Sequence, residues 1–239
     1  MLALYTDNEN GVQTVQTGFN FANSNFNGYT LSANVGKPYG EIYAIDLVRD
    51  AKGNVVLTNG LPTAETPANG IGKDVGNSNP NFMLGWTNNF KYKQFDLAFT
   101  VDGRFGGTVL DMTQSTLDEF GVSAATGAAR EASGGSTADL DQVEKYYQIK
   151  STAIATYAYS ATNIRLREAS LGYTFSQGLF HNSVSNLRIA FTGRNLFFFY
   201  LKAPFDPETS LSTDNTLQGI DLFGQPSYRS LGFNISARF

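Results

Sequence analysis

From Phe82 to Tyr92 apolar side chains occupy alternate positions: Phe82, Leu84, Trp86, Phe90 and Tyr92 fall on one parity, with Met83, Gly85, Thr87, Asn89 and Lys91 on the other. A period of two sustained over about eleven residues predicts a long β-strand. Beyond the tight Tyr92-Lys93-Gln94 connection the pattern resumes, with Phe95, Leu97, Phe99, Val101 and Phe105 on one face and Asp96, Thr100, Asp102 and Arg104 on the other. A third strand, Asn163 to Phe175, changes phase: Ile164 and Leu166 share one parity, while Ala169, Leu171, Tyr173 and Phe175 share the other. One extra residue near Arg167, a β-bulge, accounts for such a slip. Leu187, Ile189, Phe191, Phe197 and Phe199 define a fourth strand opposite Arg188, Thr192 and Arg194, and Leu231, Phe233, Ile235, Ala237 and Phe239 a fifth.

The intervening segments are polar and of unequal length. Residues 1–80 are rich in Gly, Asn, Thr and Pro, and read as a loop region with one small hairpin, in which Glu41 to Arg49 and Asn54 to Leu57 flank the turn Asp50-Ala51-Lys52-Gly53. Gly106 to Thr162 is a long Ala- and Ser-rich segment with one short helix expected at Ala138 to Tyr147, capped near Thr137. Ser176 to Asn186 is a shorter link, and Tyr200 to Pro226 is another long loop. Connections thus run short, long, short, long, and the strands exceed the 5 or so residues usual in globular sheets. Membrane-spanning strands need about 9 to 11 residues, and outer-membrane barrels join them by short periplasmic turns and long external loops. The fold expected is an all-β, antiparallel transmembrane β-barrel, here a C-terminal part with about five strands within residues 81–239 and two long external loops. A soluble carbohydrate-binding or adhesive β-sandwich is the alternative, since it also splits each strand into apolar and polar sides.

Polarity orients the sheet. An Arg facing lipid near the midplane costs roughly 2 to 4 kcal/mol, so the phenylalanine face is expected outside. Asp96, Asp102, Arg104, Arg188 and Arg194 are then expected to face the lumen, as interstrand ion pairs or as contacts to a plug or solute. Phe197 to Tyr200 at one end, and Phe233 and Phe239 near the other, fit interfacial aromatic girdles. Composition supports β-structure: charged residues are 16% of 239, with Phe 19, Tyr 12 and Gly 24, against about 25% charged in ordinary domains. A formal charge of -4 offers no basic field for nucleic acid. Cysteine is absent, which removes disulfides and thiolate metal sites. No run of 18 apolar residues occurs, and Met1 to Asn10 lacks signal-peptide character, so an export signal is expected upstream.

Several ordered motifs resemble the SusC/RagA family of TonB-linked outer-membrane proteins: GKPYGEIYA at Gly36 to Ala44, NPNFMLGWTNNFKYKQFDLAF at Asn79 to Phe99, DGRFGG at Asp102 to Gly107, NIRLREASLGYTF at Asn163 to Phe175, GRNLFFFY at Gly193 to Tyr200, and DPE at Asp206 to Glu208. The resemblance implies a barrel of about 22 strands around an N-terminal plug. It further implies energisation by the TonB complex, a SusD-like surface lipoprotein as partner, and import of oligomeric nutrients, glycan or peptide, across the outer membrane of a Gram-negative bacterium. These residues contain neither plug nor TonB box, so the chain is expected to be a truncated product or a fragment, with TonB acting through a part outside it. In that frame Phe233, Ile235 and Phe239 resemble the terminal strand signal for barrel insertion.

Other candidates carry little chemistry. His181 is expected to be an exposed turn residue. Asp139 and Asp141 lack the Gly and Glu of a calcium loop and read as a helix start. Asp206-Pro207-Glu208 reads as a turn in an external loop, open to a partner or substrate. Gly106-Gly107 and Gly134-Gly135 lack the strand and helix context of phosphate loops. With no paired carboxylates, nucleophile with base, or ligand cluster at useful spacing, neither an enzymatic activity nor a cofactor is expected.

Overall fold

The structure, a computed structural model, describes residues 14–16, 29–34, 37–66, 72–175, 186–209 and 217–238. His181, Phe239 and most of the 176–186 link lie outside them. In chain order the elements are β1 (Thr14–Gln16), β2 (Tyr29–Asn34), β3 (Glu41–Ala44), β4 (Leu57–Thr58), β5 (Leu61–Pro62), β6 (Lys73–Asn77), β7 (Phe82–Tyr92), β8 (Phe95–Phe105) and β9 (Thr108–Asp111). Then follow α1 (Met112–Glu119), α2 (Ala124–Ala132), α3 (Thr137–Thr152), a 3-10 turn (Ile154–Tyr157), β10 (Ala158–Ser160), β11 (Asn163–Phe175), β12 (Asn186–Leu201), β13 (Ile220–Asp221) and β14 (Ser230–Arg238). They divide into two compact units. One contains Met1–Asn79, Gly107–Ser160 and Pro207–Gln225, and the other Pro80–Gly106, Ala161–Asp206 and Pro226–Phe239.

The second unit is a single antiparallel sheet in the order β14-β12-β11-β8-β7, so every strand pairs with its neighbours in chain sequence within the unit. Phe82 faces Phe105 and Tyr92 faces Phe95 across the two-residue turn at Lys93, whose φ of 53° closes it. The phase slip at Arg167 is a β-bulge: pairing shifts between Leu166 and Glu168 against both β8 and β12. The bulge keeps both halves of β11 presenting apolar residues to one face, since Leu166 lies opposite Val101 and Ala169 opposite Phe99. That face also carries Trp86, Phe90, Leu97, Phe191, Leu231, Phe233 and Ile235 in matching register. It is not a buried core: Trp86 is 58%, Phe191 57% and Phe233 75% exposed.

The first unit has an ordinary core. Tyr29, Leu31, Ile42, Ala44, Leu110, Met112, Ile154 and Ile220 pack together out of solvent. The sheet β1-β2-β3-β6 supplies four of them, and the sheet β10-β9-β13, with β13 parallel to β9, supplies Leu110 and Ile220. The expected hairpin at Glu41 to Leu57 is realised only at its turn, where Asp50 accepts the N–H groups of Lys52 and Asn54 at 2.9 and 2.8 Å. Its flanks reduce to one bridge, Arg49 to Val55, while Glu41–Ala44 pairs with β2 and β6. Ile42 and Ala44 are fully buried, which an isolated two-stranded hairpin cannot achieve.

Gly106 to Thr162 also departs from expectation, holding three helices rather than one. Each opens on a small polar cap: Asp111 accepts from the Gln114 N–H, Ser123 from Thr126 and Ser136 from Asp139. The helix expected at Ala138 to Tyr147 runs from Thr137 to Thr152. It is tied to α1 by Asp118, whose buried carboxylate accepts from Lys150 and the Tyr157 hydroxyl, each at 2.8 Å. Burial alone would raise the Asp118 pKa, but Lys150, Ser123 and Tyr157 together hold it below the usual carboxylate value.

Asp111 behaves oppositely. Burial raises its pKa, and the nearby Asp221 and Asp118 charges add to this against the opposing Gln114 N–H. A carboxylate with a raised folded pKa destabilises above that pKa, and the penalty disappears as pH falls through it towards the unfolded value near about 4. Asp111→Asn, which keeps the capping oxygen, is therefore expected to raise the thermal midpoint at pH 7 and to leave it unchanged at low pH. Differential scanning calorimetry at the two pH values checks this.

Candidate functional site

The side of the five-stranded sheet opposite the phenylalanines carries its charges in compensated groups. Asp96 on β8 reaches across β11 to Arg188 on β12, accepting from Nε at 2.9 Å and from an Nη nitrogen. On β11, Gly172 lies opposite Asp96 and Ala190, and Arg188 lies opposite Thr174 two residues along, so the pair closes diagonally over Gly172. A Cβ there would stand 2.5 Å from the Arg188 and Asp96 side-chain atoms, so glycine is what lets the pair close over the middle strand. Further along, Asp102 accepts from Arg167 Nε at 3.1 Å and lies 3.6 Å from Arg165 Nε. Arg165, only 2% exposed, also donates to Asp206 at 3.2 Å and lies 5.5 Å from the centre of the Phe198 ring. Glu168 and Arg194, directly opposite each other, are 3.7 Å apart. Thr87 and Thr100 join hydroxyls at 3.0 Å.

Of the residues the sequence singles out, Asp96, Asp102, Arg104, Arg188 and Arg194 all stand on this polar face, Arg104 opposite Met83 and Asn163. Asp206, its side chain 8% exposed, joins the group through Arg165, so the Asp-Pro-Glu turn is anchored to the sheet; Glu208 is exposed. Phe198 departs from the expected girdle: it pairs in register with Arg165, on the polar side. Phe233 and Ile235 are exposed on the apolar side. Arg165, Arg167 and Glu168 were not singled out, although their signal was present. The phase slip at Arg167 places residues on both sides of it on the polar face. Asp141 forms a helix-surface pair with Lys145 at 2.6 Å, and Asp139 bonds Ser136. Among the described residues no group of three or more His, Cys, Asp or Glu is placed to hold a metal ion.

A sheet of this kind, with a continuous exposed aromatic face and a back lined by paired charges, is what a segment of membrane-barrel wall presents. Comparison with known proteins agrees. No family model matches the chain. A TonB-dependent receptor, P3, of Formosa agariphila is 26% identical over 174 residues, covering 70% of this chain and 17% of that protein. Among solved structures, the RagAB peptide importer in its closed-closed state superposes with a TM-score of 0.60 at 15% identity, over 95% of this chain and 25% of that one. Its open-open state gives 0.57 at 14%, over 96% and 24%. The chain thus spans about a sixth of the curated relative and a quarter of the solved chains. The resemblance read from the sequence is borne out as a likeness: the chain is similar in sequence to part of a TonB-dependent receptor, and its fold is similar to part of the RagAB importer chains.

Proposed function

We propose that these residues form part of the wall and external loops of a TonB-dependent transporter in the outer membrane of a Gram-negative bacterium. In this reading residues 81–239 supply barrel strands, while residues 1–80 and the segments after β8 and β12 lie outside the cell. The aromatic face contacts lipid, and Asp96, Asp102, Arg104, Arg188 and Arg194 line the lumen. The whole protein imports an oligomeric nutrient, glycan or peptide, drawing on the TonB complex through a part outside this chain and on a SusD-like surface lipoprotein. The observation that carries the reading is the five-strand antiparallel sheet whose large apolar side chains, Trp86, Phe191 and Phe233 among them, are more than half exposed. A sandwich would bury them.

The same reading makes Phe233, Ile235 and Phe239 a strand signal for barrel insertion. Replacing Phe239 by Asp in the full-length protein is expected to lower the amount inserted, because a charge then replaces an aromatic anchor at the interface. Quantitative blotting of outer-membrane fractions, with heat-modifiable gel mobility as the folding check, measures it. Equal insertion of both proteins would remove that signal from the account.

A further inference from the structure

An open cleft of about 450 Å3 lies within the first unit, between Gly60 at the tip of the β4–β5 hairpin, the end of α2 and one face of α3. Its volume falls within the range of small-ligand sites, roughly 300 to 1,000 Å3. Two side chains of α3 fix its walls. Gln142 donates to the Asn59 carbonyl at 3.3 Å and occupies space that only a glycine at position 60, with φ of 79°, leaves open. Tyr147 donates its hydroxyl to the Ala125 carbonyl of α2 at 3.2 Å, and Lys150 stands 5.2 Å from its ring centre. Tyr146 meets Tyr147 edge to face, at 5.3 Å between centres and 68° between planes, forming an aromatic corner. The Tyr146 hydroxyl has no hydrogen-bond partner among the described residues.

We propose that this cleft holds an uncharged sugar unit of a glycan, a reading that rests on the first unit facing the cell exterior. No lysine, arginine or histidine stands among the described residues lining it, and Lys150 beside the Tyr147 ring is paired with the Asp118 carboxylate, so an anionic ligand would meet Asp139 without a free cation. A cationic peptide side chain finds little purchase either. Asp139 is engaged with Ser136, whose hydroxyl donates to the carboxylate and accepts the Asp139 N–H, fixing the first turn of α3. What remains suits a polyol: a tyrosine ring for the apolar face of a pyranose, the Tyr146 hydroxyl as donor or acceptor, and the Gln142 carboxamide oxygen as acceptor. A site built from such groups selects for hydroxyls, because a ligand lacking them leaves polar atoms unpaired.

The test is isothermal titration of the full-length receptor in detergent with cellohexaose, laminarihexaose, mannohexaose and xylohexaose, alongside oligogalacturonate and tri-lysine. At least one neutral hexasaccharide is expected to bind and oligogalacturonate is not. Tyr146→Ala is expected to weaken that binding by at least about tenfold. Tyr146→Phe, a milder change that preserves packing, and Gln142→Ala are each expected to weaken it several-fold, and Tyr228→Ala in the other unit to leave it unchanged. The proposal is overturned by no binding of any neutral sugar, or by binding insensitive to both Tyr146→Phe and Gln142→Ala. Tri-lysine binding abolished by Asp139→Asn would also overturn it, assigning the cleft to cationic peptide. Outer-membrane fractionation of the same protein separates this from the transporter reading. A receptor that inserts but binds no neutral sugar contradicts the cleft alone. One that binds sugar through Tyr146 but does not insert contradicts only the membrane assignment.

Discussion

Phe191→Arg in the full-length receptor is expected to cost roughly 2 to 4 kcal/mol of barrel stability and to deplete the folded protein in the outer membrane. The position sits in the middle of β12, opposite Leu171 on one side and Phe233 on the other, and its ring is 57% exposed. In water, a substitution at such an exposed site would usually change stability by no more than about 0.5 kcal/mol. The large effect arises only if the solvent on that side is hydrocarbon, where the guanidinium loses its hydration without gaining a partner. Ser170→Lys, on the opposite face between Ala98 and Thr192, is the matched control and is expected to be tolerated. Urea titration of the receptor refolded in lipid vesicles measures both variants. Equal midpoints would contradict the assignment of faces.

Arg165→Ala is the second change with a large expected effect. Arg165 is 2% exposed, and its guanidinium lies between the carboxylates of Asp206, at 3.2 Å, and Asp102, at 3.6 Å. Removing one member of a buried ion pair strands the other charge and costs about 3 to 5 kcal/mol. Replacing Arg165 and Asp206 together by leucine is expected to recover much of that loss, because two apolar side chains leave neither charge uncompensated. Arg165→Lys is expected to fall between, keeping the charge but not the fork that serves two carboxylates. Thermal unfolding reports the stability. Protease cleavage within residues 202–209 reports release of the segment that Asp206 anchors. A single Arg165→Ala variant as stable as the double leucine variant would show that the ion pair does not hold this segment.

The sheet was legible in the sequence because each strand has one apolar and one polar face, and two-residue periodicity records that division directly. Phe82–Tyr92, Phe95–Phe105 and Asn163–Phe175 carry the boundaries that alternation assigns them, and the slip at Arg167 is the bulge it suggested. The helices α1 and α2 were not legible. MTQSTLDE buries mainly polar side chains and AATGAAREA buries few, so neither shows a strong apolar stripe, although the caps Asp111 and Ser123 were visible signals. The core of the first unit joins Leu31, Ile42, Leu110 and Ile220 from segments far apart in the chain, a pairing no local pattern reveals. Among the charges, alternation placed Asp96 and Arg188 on one face. It could not show that they meet across Gly172, because that depends on the register of three strands at once.

The central claim is that one face of this sheet contacts lipid and the other water. These 239 residues contain no cysteine, so single cysteines report cleanly on position within them. They would be placed at Leu97, Phe99, Ile189 and Phe191 on the aromatic face, and at Ala98, Thr100, Ser170 and Thr192 on the polar face. In native outer membranes, a water-soluble maleimide is expected to label the second set and not the first. After reconstitution, fluorophores at the first set are expected to be quenched by brominated lipid. Labelling without alternation between Leu97 and Thr100, or quenching confined to the polar set, would contradict the account.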